Sequence, residues 1–326
     1  MTDISFSDIE DAALRLEKLV VRTPLLETDF GLSEYRRVFL KLETNQVTGS
    51  FKFRGAYNKI NQLDEASLRA GVVAYSSGNH AQAVACVAKI LGTKAVIVMP
   101  SDAPKKKLEA TRGYDAEVIV YDRWKESRED IAIQVVNERS MTLVPPFDDP
   151  MVISGQGTAG LEVVHDLNTL DIKPNLVLVP ASGGGLVSGV SIAIKNAFPD
   201  CSIFCVEPEH FDDISLSLSK GERVTNQAPI QNSICDALLV PTPGELTFEI
   251  MKKFLAGGLT VSDEAVKRAM RYCWLEKRII LEPGGAVAVA AIMEKIAPPA
   301  PVTVVLCSGG NIDEKSFKRL IKDATN

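Results

Sequence analysis

The stretch TGSFKFRGA, residues 48–56, contains a lysine whose position favours a reactive amine. Apolar side chains recur over residues 53–60 with the spacing of an amphipathic helix, and Thr48 and Ser50 are the predicted N-caps. Lys52 then falls in the first helical turn, where exposed N–H groups disfavour a cation and flanking phenyl rings exclude water. Both effects favour the neutral amine, so Lys52 is a candidate nucleophile.

A second stretch, VPASGGGLVSG at residues 179–189, predicts a strand, a glycine turn and a helix. Backbone N–H groups that converge at a helix start bind phosphate, although a plain flexible turn has similar weight for this stretch alone. The dinucleotide glycine pattern is absent because Ser188 occupies its third glycine position, and the Gly-Lys-Ser/Thr ending of a Walker loop is also absent. One phosphate monoester therefore fits better than a pyrophosphate.

A phosphate site and a reactive amine together indicate one cofactor. Pyridoxal 5′-phosphate carries a single phosphate and an aldehyde that bonds to a lysine amine. A lysine considered alone more often lies along the surface with its ammonium in water. The glycine loop is what favours the cofactor interpretation for Lys52.

The elements that must position these groups alternate along the chain from Val72 onward. Short, nearly continuous apolar runs separated by helical patterns predict an α/β architecture with parallel strands covered on both faces. Three clusters rich in Ser, Gly and Asn follow predicted strands, where the ligands of parallel sheets gather. These clusters are residues 76–80, 182–185 and 308–311.

Composition excludes several classes of protein. The 326 residues carry a net charge of −6, which argues against a broad nucleic-acid interface. The acidic N-terminus lacks the pattern of a signal peptide, and the apolar run near Val287 is too short to span a bilayer. Six scattered cysteines without a CxxC pair predict reduced thiols and a cytoplasmic location, and three histidines without HExxH argue against a zinc site.

The motifs TGSFKFRGA, SSGNHAQA, GQGT, SGGGL and CSGGN resemble those of the fold-type II pyridoxal-phosphate enzymes of the serine/threonine dehydratase and serine racemase group. The resemblance covers nearly the whole chain. It implies a fold like that of the tryptophan synthase β chain, with two lobes that each contain a mainly parallel sheet flanked by helices. The implied large cofactor-binding domain comprises residues 1–68 and 148–326, and residues 69–147 form a small domain that closes over substrate. A homodimer is a further implication.

The same resemblance implies the roles of individual residues. Lys52 would bond to the cofactor, Phe51 would pack near its ring, and Asn79 would bind its phenolic oxygen. Ser308 would face the pyridine nitrogen, and a neutral hydroxyl there favours β-elimination over transamination. The implied phosphate ligands are Ser182, Gly183, Gly184, Gly185 and Leu186, with Ser182 in place of the glycine that is common in relatives.

The predicted activity is dehydration of an L-β-hydroxy amino acid to a 2-oxo acid and ammonia, with threonine, serine and 3-hydroxyaspartate as open substrates. Ser77 matches the serine that acts as second proton donor in serine racemases, so racemisation is an alternative. Arg128 matches an arginine that contacts a substrate carboxylate, although it could instead pair with Glu126 or Asp130 on a solvated helix. A non-catalytic binding protein is the rival from another class. The predicted substrate clamp is Ser76, Ser77, Asn79, His80 and Arg128.

The stretch CVEPEHFDDI looks like a divalent-cation loop of the same group. The carboxylates of Glu207 and Asp213 and the backbone carbonyl of Phe211 would be ligands, with water completing the shell. Hard oxygen ligands suit Mg²⁺ or Ca²⁺ better than zinc. The alternative is an acidic loop at a strand end with no metal.

Overall fold

The computed structural model describes residues 4–76, 78–103, 105–122, 124–226 and 233–324, with only the backbone at residues 105 and 106. Ten strands lie within these ranges. They are β1 (Leu25–Thr28), β2 (Arg37–Leu42), β3 (Val72–Tyr75), β4 (Ala95–Pro100), β5 (Glu117–Tyr121), β6 (Thr142–Leu143), β7 (Leu176–Pro180), β8 (Ser202–Pro208), β9 (Gly257–Val261) and β10 (Val302–Cys307).

Helices cover the faces of the sheets. They are α1 (Phe6–Leu16), α2 (Lys52–Ile60), α3 (Glu65–Ala70), α4 (Asn79–Leu91), α5 (Lys105–Arg112), α6 (Arg128–Arg139), α7 (Pro150–Thr169), α8 (Gly185–Ala197), α9 (Asp213–Lys220), α10 (Glu245–Phe254), α11 (Asp263–Lys277), α12 (Pro283–Met293) and α13 (Glu314–Asp323). In the part of the chain that the structure describes, none of them is long and apolar enough to cross a membrane.

The strands form two separate sheets. The larger has the order β1-β2-β10-β7-β8-β9, and its only antiparallel pair among the described strands is β1 with β2. The smaller has the order β5-β4-β3-β6 and is parallel throughout. The predicted α/β class, with two mainly parallel sheets flanked by helices, is confirmed. The buried Val, Ile and Leu runs of β4, β7 and β10 explain the nearly continuous apolar pattern of the sequence.

The GQGT motif lies inside α7 and serves close helix packing. A Cβ atom on Gly155 would lie 2.7 Å from the backbone oxygen of Arg54, so α7 and α2 approach too closely for any larger residue. A Cβ atom on Gly189 would collide with the backbone oxygen of Ile153, so α8 and α7 are equally close. These contacts fix the two helices whose first turns carry Lys52 and the glycine loop.

Helix α7 begins at Pro150, before the glycines of the GQGT motif. The Asp149 carboxylate accepts hydrogen bonds from the N–H groups of Met151 and Val152, and Pro150 suits the first helical position. Residues 144–149, which we call the connecting segment, therefore join the smaller sheet directly to α7. Pro145, Pro146, Asp148 and Asp149 interrupt both strand and helix periodicity within it.

Candidate active site

A cavity of about 210 Å³ lies between the carboxyl ends of strands from both sheets. All three predicted polar clusters reach it, from the ends of β3, β7 and β10. The sequence therefore predicted correctly that these clusters share one site. The predicted site residues that line the cavity are Phe51, Lys52, Ser76, Asn79, His80, Arg128, Ser182, Gly184, Gly185, Leu186 and Ser308.

Lys52 is the first residue of α2, as the sequence predicted, but the predicted N-caps are wrong. Phe51 occupies the N-cap position, while Thr48 lies in a left-handed turn with φ 64° and Ser50 pairs with Gly309. The half-buried Lys52 side chain donates a hydrogen bond of 2.6 Å from Nζ to the Pro146 carbonyl oxygen. Its ammonium group lies 5.1 Å from the centre of the Phe51 ring.

The surroundings of Lys52 weaken its charge. Loss of water around the amine lowers its pKa from 10.5 to about 8, and Lys52 has no carboxylate partner among the described residues. A carbonyl oxygen accepts a hydrogen bond from either protonation state of the amine, so this contact positions Nζ without holding its proton. The structure thus supports the predicted reactive amine.

The start of α4 forms one wall of the cavity. Ser76 follows β3, and its hydroxyl accepts a hydrogen bond from the Gly78 N–H at 3.2 Å. His80 is buried, and its Nε2 donates to the Val144 carbonyl oxygen at 2.8 Å. Burial, helped by the Lys52 charge, lowers the pKa of His80 to about 3, so the ring is neutral and Nδ1 is a buried acceptor without a hydrogen-bond partner in the described structure. Ser77 lies outside the described residues.

Asn79 is held from two sides. Its Oδ1 accepts from Asn311 Nδ2 at 2.8 Å, and its own Nδ2 donates to Glu282 Oε1 at 2.5 Å. These partners settle the orientation of the amide. One N–H of Nδ2 is therefore available to a group in the cavity.

Glu282 is a buried carboxyl group in the cavity wall that sequence analysis missed. It precedes Pro283 at the start of α12, yet its side chain does not cap the helix. Burial raises the pKa of Glu282 to about 7; the nearby Lys107 and Asn79 lower it, and Asp236 raises it further. The only sequence signal was an acidic residue directly before the Pro-Gly-Gly start of an apolar helix.

The glycine loop leads into α8. Gly183 and Gly184 have φ values of 47° and 102°, a region that favours glycine. The Gly184 N–H bonds to the Ser182 carbonyl oxygen, and the Ser182 hydroxyl accepts from the Val240 N–H at 3.1 Å. Gly183 does not line the cavity; its carbonyl oxygen accepts from Thr247 Oγ1 at 2.6 Å.

The N–H groups that remain for an anion belong to the first turn of α8. Residues Gly185, Leu186 and Val187 line the cavity, and N–H groups at these positions have no partner within a helix. The role of Val187 could not be predicted from the sequence, because the motif that carries the resemblance ends at Leu186. The cradle fits a phosphate group, since a helix start supplies both donors and a positive dipole end.

Ser308 is buried directly after β10 and lines the same cavity as this cradle. Its carbonyl oxygen accepts from the Phe51 N–H at 3.1 Å, so Phe51 and Ser308 are fixed together. The residue that faces a ring nitrogen from this position would be a neutral hydroxyl.

Arg128, the first residue of α6, lines the cavity from the smaller sheet. Its Nε pairs with Glu129 at 2.8 Å and its guanidinium lies 5.3 Å from the centre of the Tyr75 ring. The ion partner is therefore Glu129 and not the Glu126 or Asp130 considered from sequence. Two guanidinium nitrogens remain for a carboxylate.

The predicted metal loop lies outside the cavity lining. The Glu207 carboxylate accepts from the Ile214 N–H and from both donors of Ser215, at 2.6–3.0 Å. Both carboxylate oxygens of Asp213 are buried and lack a hydrogen-bond partner in the described structure. Phe211 is buried, and its N–H bonds to Pro208. No cluster of three or more His, Cys, Asp or Glu side chains that could hold a metal occurs within the described ranges.

Comparisons with known proteins agree with this geometry. The family model described as "Pyridoxal-phosphate dependent enzyme" matches residues 16–308. A serine racemase from Schizosaccharomyces pombe is 38% identical over 97% of both chains, and an L-threo-3-hydroxyaspartate ammonia-lyase from Saccharomyces cerevisiae is 38% identical over 97% of this chain and 96% of its own. The crystal structure of a threonine deaminase from T.th. is 40% identical, covers 95% of this chain and 99% of its own, and has a TM-score of 0.88.

Proposed function

Because the chain belongs to the family of pyridoxal-phosphate dependent enzymes, we propose that it dehydrates an L-β-hydroxy amino acid to a 2-oxo acid and ammonia. Threonine and serine are the main candidate substrates, and 3-hydroxyaspartate is the third. The observation that carries the proposal is that Lys52, the first turn of α8 and Ser308 line one cavity. The similar relatives are named as a serine racemase and an ammonia-lyase, which are enzymes. This argues against the rival interpretation of a non-catalytic binding protein.

The cofactor assignment follows the chemistry of each wall. We assign the phosphate to the N–H groups of residues 185–187, with Ser182, Gly183 and Gly184 shaping the turn. Asn79 would donate to the phenolic oxygen, Ser308 would face the ring nitrogen, and Phe51 would pack near the ring. When bound, the cofactor supplies an electron-withdrawing ring that stabilises the charge left at Cα after proton removal.

Lys52 would be both the lysine that bonds to the cofactor and the base that takes the Cα proton. A general base works best when its pKa lies near the operating pH, and burial brings the Lys52 pKa to about 8. The neutral Ser308 hydroxyl would leave the ring a weaker electron sink than a carboxylate partner would. This weaker sink favours loss of the β-hydroxyl over transamination.

The start of α4 would bind the substrate carboxylate. Its first N–H groups and the Ser76 hydroxyl supply donors, while the neutral His80 holds the helix start against Val144. Arg128 would add a charged contact, either to this carboxylate or to the second carboxylate of 3-hydroxyaspartate. A comparison of turnover with threonine, serine and 3-hydroxyaspartate tests the substrate class, and no turnover of any of the three would contradict the proposal.

Serine racemisation is the second candidate function, favoured by the full-length similarity to a serine racemase. It would need Ser77 as a proton donor on the face of Cα opposite Lys52. Chiral analysis of serine recovered after incubation separates the two activities. If a Ser77→Ala variant no longer forms D-serine but still forms pyruvate, racemisation would be assigned to this residue.

We also propose a Mg²⁺ or Ca²⁺ site at Glu207, Asp213 and the Phe211 carbonyl oxygen. The buried carboxylate of Asp213, which has no hydrogen-bond partner in the described part of the chain, supports a cation there. Burial raises its pKa to about 7, and an adjacent cation would relieve that penalty. EDTA should lower the melting temperature and either cation should restore it. An Asp213→Asn variant should not respond.

Three further proposals rest on the sequence. The small closing domain would comprise residues 69–147, which is supported by the β3–β6 sheet within this range. A homodimer follows from the family resemblance. A reducing, cytoplasmic location is supported by six cysteines that are all buried and free.

A further inference from the structure

Lys107 is a cation that reaches the cavity from α5, on the side of the smaller sheet. Its Nζ pairs with the Asp236 carboxylate, which belongs to a loop on the side of the larger sheet. A Cβ atom on Gly78 would lie 3.8 Å from the same Nζ, so the ammonium group sits over the start of α4. The ion pair thus links two parts of the cavity lining, one on the side of each sheet.

The Asp236 side of this pair is well anchored. Ser233 Oγ and the Ile234 N–H both bond to the Asp263 carboxylate, at 2.6 and 3.0 Å. Further along the same loop, the Val240 N–H bonds to the Ser182 hydroxyl beside the phosphate cradle. A fixed anion therefore meets the side chain of Lys107, whose exposed fraction is only 15%.

Glu282 lines the same cavity as both members of the ion pair, and each of them influences its carboxyl group. The Lys107 charge favours the ionised form of Glu282, whereas Asp236 opposes it. Glu282 in turn accepts the hydrogen bond that orients Asn79. Lys107, Asp236 and Asn79 are the groups that act on Glu282 from α5, from the Asp236 loop and from α4.

We propose that Lys107 is a positioning residue of the active site, which pairs with Asp236 to hold the smaller lobe over the bound amino acid and places a positive charge beside the Glu282 carboxyl group. The role of Lys107 in substrate affinity rests on the proposed function. Neither Lys107 nor Asp236 needs to touch the reacting atoms. Their opposite charges act on lobe closure together and on Glu282 in opposite directions.

The first experiment compares Lys107→Met with Lys89→Met. Lys89 also belongs to an ion pair on the smaller lobe, with Asp115 at 2.9 Å, but that pair does not line the cavity. Lys107→Met should raise KM roughly tenfold, since it removes one partly buried ion pair. It should also speed amide hydrogen exchange of α5 in cofactor-free protein. Lys107→Arg, which keeps the charge, should stay near wild type.

The second experiment uses the opposite influences on Glu282. Lys107→Met removes the charge that favours ionised Glu282, so the acid limb of the kcat/KM profile should move to higher pH. Asp236→Asn removes the opposing charge, so the same limb should move to lower pH while KM still rises. In a Glu282→Gln background, neither Lys107→Met nor Asp236→Asn should move the limb.

Two results would overturn the inference. One is a Lys107→Met variant that matches Lys89→Met in both KM and α5 exchange. The other is an acid limb that moves in the same direction in Lys107→Met and Asp236→Asn. Failure of the proposed function is distinguishable, because wild-type protein would then turn over none of the amino acids while the exchange comparison on cofactor-free protein still reports on the ion pair.

Discussion

Lys52 and Arg54 are two residues apart on α2, yet their surroundings make them opposites. Lys52 faces the cavity, and its amine bonds only to the Pro146 carbonyl oxygen among the described residues. Arg54 faces the interior with no exposed surface, and its guanidinium makes paired hydrogen bonds of 2.7–3.0 Å to Glu43 and Glu162. One cation is left able to lose its proton, and the other is fixed as a cation.

The difference shows that the free-energy cost of burying a charged side chain has opposite consequences for Lys52 and Arg54. Burial opposes the charge on both side chains; around Arg54 the carboxylates of Glu43 and Glu162 outweigh this penalty and raise its pKa. Lys41 joins the same network through Glu162 at 2.6 Å, so β2, α2 and α7 are tied together behind the cavity. A fully paired ionic network on one side of the helix thus holds in place, on the other side, an amine that has no ion partner among the described residues.

The largest expected effect comes from removing the reactive amine. Lys52→Ala should lower turnover by more than about 10³-fold, the scale of losing a general base, and should abolish the absorbance of lysine-bound cofactor. Stability of the cofactor-free protein should be unchanged or higher, because Lys52 has no ion partner to lose among the described residues. Denaturation and turnover of Lys318→Ala, a surface lysine of α13, provide the control. Retained absorbance in Lys52→Ala would contradict the assignment.

Removing the fixed cation should act on folding instead. Arg54→Met leaves Glu43 buried without its ion partner, and breaking such a pair typically costs about 3–5 kcal/mol of unfolding free energy. Urea denaturation of cofactor-free protein measures this change. Arg139→Met, which breaks the exposed pair with Glu117, should cost at most about 1 kcal/mol. Equal losses in the two variants would remove the distinction drawn between the two sides of α2.

The glycine loop offers a smaller effect on the cavity side. A Cβ atom on Gly184 would lie 2.7 Å from Met251 and 2.8 Å from Thr247, and the backbone there has φ 102°. Gly184→Ala should therefore cost about 1–3 kcal/mol and weaken cofactor binding measured by absorbance titration. Gly221→Ala is the matched control, since its φ is also positive, at 75°, but no described residue lies within 4 Å of the added atom. Cofactor binding should be unaffected in that variant.

The smallest effect concerns the pH dependence of cofactor attachment to cofactor-free protein. Only the neutral amine attacks an aldehyde, and its fraction rises with pH until about one unit above the pKa, which is about 8 for Lys52. The attachment rate should therefore rise about tenfold from pH 7 to 9 and then level off, whereas an ordinary lysine would give about a hundredfold rise over this range. Stopped-flow absorbance measures the rate. A rise that continues beyond pH 9 would mean that burial leaves the amine unperturbed.

The chemistry at helix starts could be predicted from local sequence. Which residues meet each other across long stretches of chain could not. Lys52, the α8 turn and the clusters at strand ends follow from periodicity and helix polarity, which act over a few residues. Thr48 and Ser50 were misassigned as N-caps because the pairing of Ser50 with Gly309 has no local signal. The glycines of the GQGT motif are typical of a loop by composition, yet they lie inside α7. They are needed there because neighbouring helices pack closely against them.

Glu282 and Lys107 illustrate the same limit within the active site. Glu282 meets its partner Asn79 across 203 residues of chain, and Lys107 meets Asp236 across 129. A single carboxylate or lysine is mostly a surface residue, so composition gives no reason to select either. Their importance arises only when folding brings two sheets together around one cavity.

The connecting segment has a consequence for engineering. Its carbonyl groups meet Lys52 and His80, the Phe147 ring fills the space beside Gly183, and the carboxylates of Asp148 and Asp149 cap α10 and α7. Six consecutive residues thus set the spacing between Lys52 and the first turn of α8. A chimaera that exchanges the smaller lobe between homologues should take the connecting segment from the protein that supplies the larger lobe. One residue inserted into this segment should lower activity more than several residues inserted after Thr169, where α7 ends.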